Sequence, residues 1–253
     1  MYPGKAHRVS DVEGIERATA AAVSPQAIED VGGWLLAFDG GPVNRAKSAV
    51  PLHHALMPEP GPLIARIEAR YAARGLPAQF RLASPPCFDG VRSELRRRGY
   101  RAAQPTLVQL APVAAVRAVS AELAAVDVMP DAAWAALFMG EGVDPADGAS
   151  RVAALARAPG ALFASVREDG QTVAAGAAAF SHGWVSVHGM RTAPAWRGRG
   201  MAGRILAALA EAALARGLPR CFLQVEEGNA AALALYRRAG FASAWSYDYW
   251  RLA

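Results

Sequence analysis

The chain has 253 residues, of which 53% are hydrophobic and 19% are charged, and its formal charge is +5. This composition excludes a disordered chain, and the length fits one large domain or two small ones. Only Lys5 and Lys47 of the 27 basic residues are lysines. The excess of arginine beside abundant alanine indicates a compositional bias, so the basic charge does not by itself predict a nucleic-acid partner.

Cysteine and histidine usage indicates a reduced protein without a bound metal. Cys87 and Cys221 form no CxxC pair, and the five histidines show no metal-ligand spacing. Residues 1–10 contain no apolar signal core, and charged residues interrupt the apolar runs before they could span a membrane. We therefore expect a cytoplasmic protein with no membrane partner.

The first half of the chain alternates predicted helices and strands. In order they are a helix within residues 10–30, a hairpin of strands Gly32–Asp39 and Val43–Leu52, a helix over Pro62–Arg74, a strand over Ala78–Leu82, a helix over Phe88–Arg98 and a strand over Tyr100–Leu110.

The second half adds a meander and then repeats the same order. The predicted elements are a linker and first strand within Ala114–Val128, short helices over Pro130–Met139 and Ala149–Ala158, an antiparallel meander of Ala161–Arg167, Thr172–Phe180 and Trp184–Thr192, a helix ending near Gly217, a strand over Cys221–Val225, a helix over Ala230–Arg238 and a strand over Phe241–Leu252.

Two short matches between the halves indicate a duplication. A-R-G-L-P occurs at residues 73–77 and again at 215–219, and R-R-R-G-Y ending at Tyr100 matches R-R-A-G-F ending at Phe241. Both matches lie at nearly the same spacing and within the same order of elements. The sequence therefore predicts a repeated α/β (α+β) fold, with one half over 1–112 and the other over 113–253.

The loop after the third meander strand is the most unusual stretch. Gly198, Gly200 and Gly203 lie where the next helix begins, so unpaired backbone N–H groups at the positive end of its dipole can bind an anion. Arginines add positive charge in the same stretch: Arg191, Arg197, Arg199 and Arg204. These features predict a pyrophosphate-binding loop.

A dinucleotide-binding domain is an alternative interpretation of this loop, because its glycines match G-x-G-x-x-G literally. The sequence context argues against it. The strand before the loop belongs to an antiparallel meander, and only one further helix, between two strands, follows the loop region's own helix. No G-K-[S/T] follows the glycines, which excludes a P-loop.

A second signature begins at Asn229 and ends at Phe241. Asn229 is a suitable N-cap for a helix, and Gly240 stands where a left-handed C-terminal residue is expected. Leu233 and Tyr236 are three residues apart and share one helix face.

The two signatures together resemble the GNAT superfamily of acyl-CoA-dependent N-acetyltransferases. Its R/Q-x-x-G-x-G/A loop is matched by Arg197, Gly200 and Ala202. Its N-x-x-A-x-x-L-Y-x-x-x-G-F helix is matched by Asn229, Ala232, Leu235, Tyr236, Gly240 and Phe241. The resemblance covers about residues 115–253. It reaches the first half only through the internal repeat, so we expect a tandem GNAT-like fold with two mixed, mostly antiparallel sheets flanked by helices.

The resemblance implies an acetyl-CoA site and a reaction. Acetyl-CoA would be the cosubstrate of a direct attack by a small-molecule or peptide amine, and no metal would be involved. Tyr236 would contact the thioester and protonate the departing thiolate. The other implied acetyl-CoA contacts are Met190, Arg191, Thr192, Arg197, Gly198, Arg199, Gly200, Met201, Ala202, Gly203, Asn229 and Ala232.

The general base stays open at this point. Glu226 and Glu227 end the strand before the Asn229 helix, and His188 shares a strand face with Met190. Each of the three could instead be a structural residue: a solvated carboxylate or a half-buried histidine.

The first half lacks the predicted chemistry. The segment that corresponds to the glycine loop is residues 56–61, which contain two prolines and Glu59, and the counterpart of Tyr236 is Leu95. We therefore expect 1–112 to be a degenerate domain and 113–253 to be the catalytic, acetyl-CoA-binding domain. The alternative function is a non-enzymatic acyl-CoA-binding or regulatory module.

Overall fold

A computed structural model of the protein describes residues 11–139 and 144–252. The segment 1–10, which lacks an apolar signal core, and part of the predicted loop between the two short helices lie outside the described residues. None of the described helices is long and apolar enough to cross a membrane.

The first half forms three helices and five strands within the described residues. They are α1 Val12–Val23, β1 Ala27–Val31, β2 Trp34–Phe38, β3 Ala49–Pro51, α2 Pro60–Ala72, β4 Phe80–Ala83, α3 Asp89–Arg97 and β5 Tyr100–Pro112.

The second half follows directly after β5. Its elements are α4 Val113–Arg117, β6 Ala125–Asp127, α5 Ala132–Ala136, α6 Pro145–Ala156, β7 Leu162–Glu168, β8 Gln171–Ser181, β9 Trp184–Thr192, α7 Met201–Leu214, β10 Arg220–Glu226, α8 Ala230–Arg238 and β11 Ala242–Leu252.

The predicted order of elements is confirmed except near the start of the chain and at α4, where a linker was expected. The helix expected within 10–30 stops at Ser24, which adopts a left-handed conformation with φ 43°, and the rest of that range is β1. The hairpin is therefore formed by β1 and β2, and not by the two strands that were predicted. The predicted strand over 43–52 is a 3-10 turn, Asn44–Lys47, followed by the short β3.

The strands form one sheet of eleven, so the prediction of two separate sheets is wrong. The order is β1-β2-β3-β4-β11-β5-β10-β9-β8-β7-β6. The last strand of each half pairs with the other half: β5 lies antiparallel to β10, and β11 lies antiparallel to β4. β5 and β11 also pair with each other at the centre of the sheet.

This exchange of last strands explains why one sheet replaces two. A sheet in each half would leave edge strands with unpaired backbone groups. Because β5 and β11 are long and lie side by side, each covers the other's outer edge and continues the ladder into the opposite half. The predicted division at residue 112 therefore separates the halves in sequence, while the sheet runs across it.

Three groups of helices cover the sheet where the second half lies. Helices α7 and α8 share an apolar cluster with β9 and β10 on one face. On the opposite face, α5 and α6 cover β7 and β8, and α1 of the first half packs on β8 and β9. Asp11, the N-cap of α1, accepts a hydrogen bond of 2.8 Å from the Trp184 indole. The first half thus supplies part of the second half's surface.

We expect the halves to be unable to fold separately. When residues 11–112 and 113–252 are produced alone, β10 lacks β5 and β4 lacks β11, so each sheet ends in an unpaired edge. Neither fragment should show a cooperative unfolding transition by circular dichroism, whereas the two co-expressed fragments should associate and recover one. A cooperative transition in an isolated fragment would show that the strand exchange is dispensable.

Candidate active site

A wedge opens in the sheet where β9 and β10 separate. The two strands pair in parallel only over Val185–Val187 and Cys221–Leu223. The next residues in register, His188 and Gln224, stand on either side of the gap. From there β10 continues along β5 as far as Glu226, and residues 188–192 of β9 have no neighbour on the β10 side among the described residues. Unpaired strand edges of this kind can bind an extended ligand.

A bulge in β9 shapes the rim of the wedge. Gly189 and Met190 together oppose the single residue Gly176 of β8, and Gly189 has φ 60°. A Cβ on Gly189 would lie 3.0 Å from side-chain atoms of Leu155 and Phe138. The bulge therefore brings β9 into close contact with α6 and with the turn that follows α5.

The bulge also distributes the next side chains between the two faces. The Met190 sulfur lies toward α7, 2.6 Å from where a Cβ of Gly176 would be. Because of the bulge, Met190 and His188 lie on opposite faces, so the prediction that they share a strand face is wrong. The Arg191 guanidinium lies on the other face, 5.0 Å from the centre of the Phe138 ring. Thr192 ends the strand, and its carbonyl accepts a hydrogen bond of 3.4 Å from Arg197.

The predicted glycine loop carries free backbone donors at the start of α7. Gly198 and Gly200 have φ values of 76° and 83°, which favour glycine. Gly200 is the N-cap and offers no side chain to the helix. Within the described residues, the N–H groups of residues 198–202 have no acceptor. Free N–H groups at the positive end of a helix dipole can bind an anion, and Arg199, Met201 and Ala202 lie in the same segment.

Gly203 has a different place from the other two glycines. Its N–H already donates to the Gly200 carbonyl at 2.9 Å. A Cβ on Gly203 would lie 3.9 Å from Val119 and Ser120, in the segment that follows α4. A side chain of one carbon would therefore fit at Gly203 in ordinary contact, and the Gly203 N–H is not among the free donors.

The four arginines predicted to reinforce this loop divide into different roles. Arg199 stays exposed and stacks on Trp196, with its guanidinium carbon 4.9 Å from the ring centre. Arg204 forms ion pairs with Glu168 at 3.1 Å and Glu122 at 3.4 Å. The two carboxylates neutralise Arg204, so its predicted contribution to the loop's charge is wrong. Neither acidic residue is close to Arg204 in sequence.

Helix α8 lies beside the wedge and carries the second signature. Asn229 is the N-cap as predicted, because its side-chain oxygen accepts a hydrogen bond of 3.1 Å from the N–H of Ala232. Its side-chain NH₂ group has no partner among the described residues. Gly240 has φ 86°, so the left-handed conformation expected there is confirmed.

Tyr236 is buried on α8 against Phe241, at a ring separation of 5.8 Å. It packs in the same apolar cluster as the strands that border the wedge. Its hydroxyl makes no hydrogen bond with the described residues, and burial raises its pKa to about 12. The phenol is therefore protonated at neutral pH and free to donate.

Of the three candidate bases, the two glutamates lie at and just after the end of β10, and the histidine is buried. Glu226 is exposed at the end of β10, and its carboxylate accepts a hydrogen bond of 2.7 Å from Gln104. Glu227 lies near Asp248, where its charge adds to burial in raising the pKa of that carboxyl group. His188 is buried, and burial together with the Arg45 charge lowers its pKa from 6.5 to about 3. Its imidazole is therefore neutral.

A buried polar cluster on the His188 face has no counterpart in the sequence predictions. Gln224 accepts hydrogen bonds from Arg45 at 3.3 Å and from Tyr247 at 2.8 Å, and its amide donates to Thr19 at 2.9 Å. In the sequence, the one sign of this cluster is a glutamine, Gln224, within an otherwise apolar strand. The arginine and the threonine come from the first half and carry no motif.

Comparison with known proteins assigns the chain to a family. A family described as "Probable histone acetyltransferase Rv0428c C-terminal" matches residues 9–250. The chain belongs to this family. It is an N-acetyltransferase of the GNAT superfamily, as the two signatures indicate.

Proteins similar in sequence or in fold cover nearly the whole chain. An uncharacterized N-acetyltransferase, YobR of Bacillus subtilis (strain 168), is 27% identical over 246 residues, which are 95% of this chain and 98% of that protein. A GCN5-related N-acetyltransferase from Kribbella flavida has a similar structure, with a TM-score of 0.70, 18% identity and 95% of each chain covered. A tandem GNAT protein from the clavulanic acid biosynthesis pathway gives a TM-score of 0.57 at 14% identity, over 97% of this chain and 95% of that one.

The architecture of this GNAT acetyltransferase also settles the alternative interpretation of the glycine loop. β9 is the last strand of an antiparallel meander and has one parallel neighbour, β10, which is followed by antiparallel β5. A dinucleotide-binding domain requires consecutive parallel units. Within residues 11–139 and 144–252, no group of three or more His, Cys, Asp or Glu side chains could hold a metal ion.

His188 makes the fold sensitive to acid. Because its pKa is about 3 in the folded protein, the unfolded chain takes up a proton first as the pH falls below about 6.5. The free energy of unfolding therefore decreases between about pH 6.5 and pH 3, with a loss of about 2 kcal/mol already at pH 5. We expect His188→Asn to remove this loss, measured by urea unfolding at pH 7 and pH 5.

The exposed His182, in the turn between β8 and β9, offers a matched control. His182→Asn should keep the pH dependence of the wild type. If His188→Asn also kept it, the buried neutral imidazole would be the wrong description.

Proposed function

We propose that the protein transfers an acetyl group from acetyl-CoA to an amine, with the cosubstrate held between the α7 loop and the wedge. The observation that carries this proposal is the row of unpartnered N–H groups at residues 198–202, next to an opened strand edge. These donors suit the pyrophosphate. The free edge of Met190–Thr192 and the Asn229 amide suit the pantetheine arm. Acetyl-CoA supplies an acetyl thioester, which the amine attacks directly.

Tyr236 is the proton donor in this proposal. Its hydroxyl has no competing partner among the described residues, and its pKa of about 12 keeps it protonated. A phenol in this state can give its proton to a thiolate as negative charge develops on the sulfur. Ala232, one turn earlier on the same helix, leaves room beside the Asn229 cap.

Glu226 is the better candidate for accepting the amine's proton, through water. It shares a face of β10 with Gln224, and Gln104 orients one of its carboxylate oxygens while the group stays exposed. His188 is less suited, because an imidazole with a pKa of about 3 holds a proton poorly at neutral pH. Glu227 lies farther along, beside Asp248.

We assign this chemistry to residues 113–253 and regard residues 1–112 as a degenerate half that binds no acetyl-CoA. Glu59 is the N-cap of its helix α2, as Gly200 is the N-cap of α7 in the second half. That side chain brings negative charge to the position of the predicted anion site. Leu95, the counterpart of Tyr236, is fully buried and has no proton to give.

The acceptor is an amine of either a small molecule or a peptide. A protein acceptor is suggested by the word histone in the family description. The non-enzymatic alternative is disfavoured because a module that only binds acyl-CoA does not require a free phenol at Tyr236.

The first test concerns the loop. Gly200→Asp places a side chain at a φ of 83°, which strains the backbone. Its carboxylate would also occupy the N–H groups and repel the pyrophosphate. We expect the affinity for acetyl-CoA, measured by calorimetry, to fall by about 10- to 100-fold. Gly217→Asp is the control, since Gly217 has φ 68° and equally open surroundings at the other end of α7. Equal affinities in the two variants would remove the loop from the site.

The second test concerns the phenol. Tyr236→Phe keeps the buried ring and removes a hydroxyl that bonds to no described residue. We expect kcat to fall by about 10²-fold, with acetyl-CoA affinity and Tm unchanged.

Tyr71→Phe is the opposite control, because the Tyr71 hydroxyl donates to the Ala37 carbonyl at 2.8 Å. It should lose about 1 kcal/mol of stability and no activity. Wild-type kcat in Tyr236→Phe, measured where the chemical step limits the rate, would exclude the phenol as the acid.

A further inference from the structure

The wedge has a second side, which the acetyl-CoA contacts leave open. We call the acceptor face the side of the wedge opposite α7 and α8, where His188 and Gln224 project and where α1 and Asn44–Lys47 of the first half cover the sheet. If acetyl-CoA binds from the α7 side, as proposed above, the amine has to approach from this face. The charges of the acceptor face therefore bear on the kind of amine.

Arg45 is the central cation of the acceptor face. Its guanidinium donates to Gln224 at 3.3 Å, and its Nε atom is buried without an acceptor. No carboxylate of the described residues lies within 4 Å of it. A half-buried arginine without a counterion is costly, because charges removed from water need an opposite charge or full hydrogen bonding.

Fixed neighbours hold Arg45 in this position. Gln224 cannot turn freely, because Tyr247 and Thr19 also bond its amide. His188, with 5% of its surface exposed, has both ring nitrogens buried without a partner among the described residues. The cluster thus presents an unpaired cation and an unpaired polar ring at the same place.

Two more arginines extend this positive charge along β9. Arg191 lies over Phe138 on this face, and its pKa is lowered by burial and by the nearby charge of Arg151 on α6. Neither arginine forms an ion pair with a described residue. Two nearby carboxylates form no ion pair with these arginines. Glu16 pairs with Arg81, and Glu226 accepts a hydrogen bond from the neutral amide of Gln104.

We propose that the acceptor is an amine that also carries an oxyanion, a carboxylate or a phosphate, and that Arg45 binds this oxyanion. The assignment rests on the proposed acetyl transfer and adds the acceptor's charge. An oxyanion could accept hydrogen bonds from the guanidinium N–H groups of Arg45 that Gln224 leaves free, and its charge would offset the unpaired cation. The amine would then lie toward Glu226, the negatively charged residue on the same face.

This proposal separates the two acceptor classes. A small zwitterionic amine brings its own negative charge to Arg45, Arg151 and Arg191. A lysine-rich peptide brings further positive charge to the same place and is repelled. Amines with an oxyanion should therefore be acetylated in preference to neutral amines and basic peptides.

Turnover on matched acceptors tests this directly. Each α-amino acid is compared with its own carboxamide, and phosphoethanolamine with ethanolamine, with rates expressed per concentration of free amine because the substituent changes the amine pKa. We expect the anionic member of at least one series to have a kcat/KM about 10- to 100-fold higher. The series that shows this effect identifies carboxylate or phosphate as the source of the oxyanion.

Variants then locate the effect. Arg45→Gln keeps a hydrogen-bonding group near Gln224 and removes the charge, so it should abolish the preference, and Arg45→Lys should keep part of it. Arg70→Gln is the control, because Arg70 lies on α2 and, among the described residues, its guanidinium forms one ion pair, with Glu29 at 3.9 Å. An undiminished preference in a folded Arg45→Gln, or equal rates for charged and neutral amines, would overturn the proposal and leave acetyl transfer standing.

A binding measurement needs no knowledge of the natural acceptor. N-acetylglycine and N-acetylglycinamide are titrated by calorimetry into the full-length protein, both free and saturated with CoA. We expect tighter binding of the carboxylate by about 10-fold or more, and loss of that difference in Arg45→Gln.

The outcomes of this titration separate the two proposals. Absence of detectable binding for N-acetylglycine, or equal affinities for the pair, would overturn the anionic acceptor. A failure of the protein to bind CoA or acetyl-CoA in the same titration would instead contradict the proposed acetyl transfer.

Discussion

The exchange of β5 and β11 between the halves is the constraint on which the rest of the structure depends. Because each half donates its last strand to the other, the two halves share one ladder of backbone hydrogen bonds across the whole sheet. The exchange fixes β10 against β5. β10 keeps its pairing with β5 as far as Glu226, although β9 separates from β10 after three paired residues. One side of the wedge at the candidate site is therefore held by a strand from the other half.

The same arrangement gives the first half a structural role at the wedge. α1 packs on β8 and β9, and the turn Asn44–Lys47 reaches the wedge through Arg45. Gln224 bonds to α1, to this turn and to β11 at once. The first half thus forms one wall of the wedge and carries charge into it.

The two faces of the wedge differ in a way that suits a two-substrate reaction. The α7 and α8 face is apolar around Tyr236 and ends in free N–H donors. The opposite face is polar and carries arginines without ion pairs among the described residues, with His188 kept neutral beside Arg45. An acyl donor and an acceptor can therefore be recognised by different physical interactions on either side of a single gap.

The sequence by itself determined the features that depend on neighbouring residues. The glycines at 198 and 200, the Asn229 cap and the order of helices and strands follow from backbone conformation and short-range hydrogen bonding, and these are legible over a few positions. Only the tertiary structure decided that the strands form one sheet, that Glu122 and Glu168 neutralise Arg204, and that Arg45 meets Gln224 from 179 positions away. Such pairings follow from the packing of distant elements, and no local pattern encodes which distant partner a charge or a strand will find.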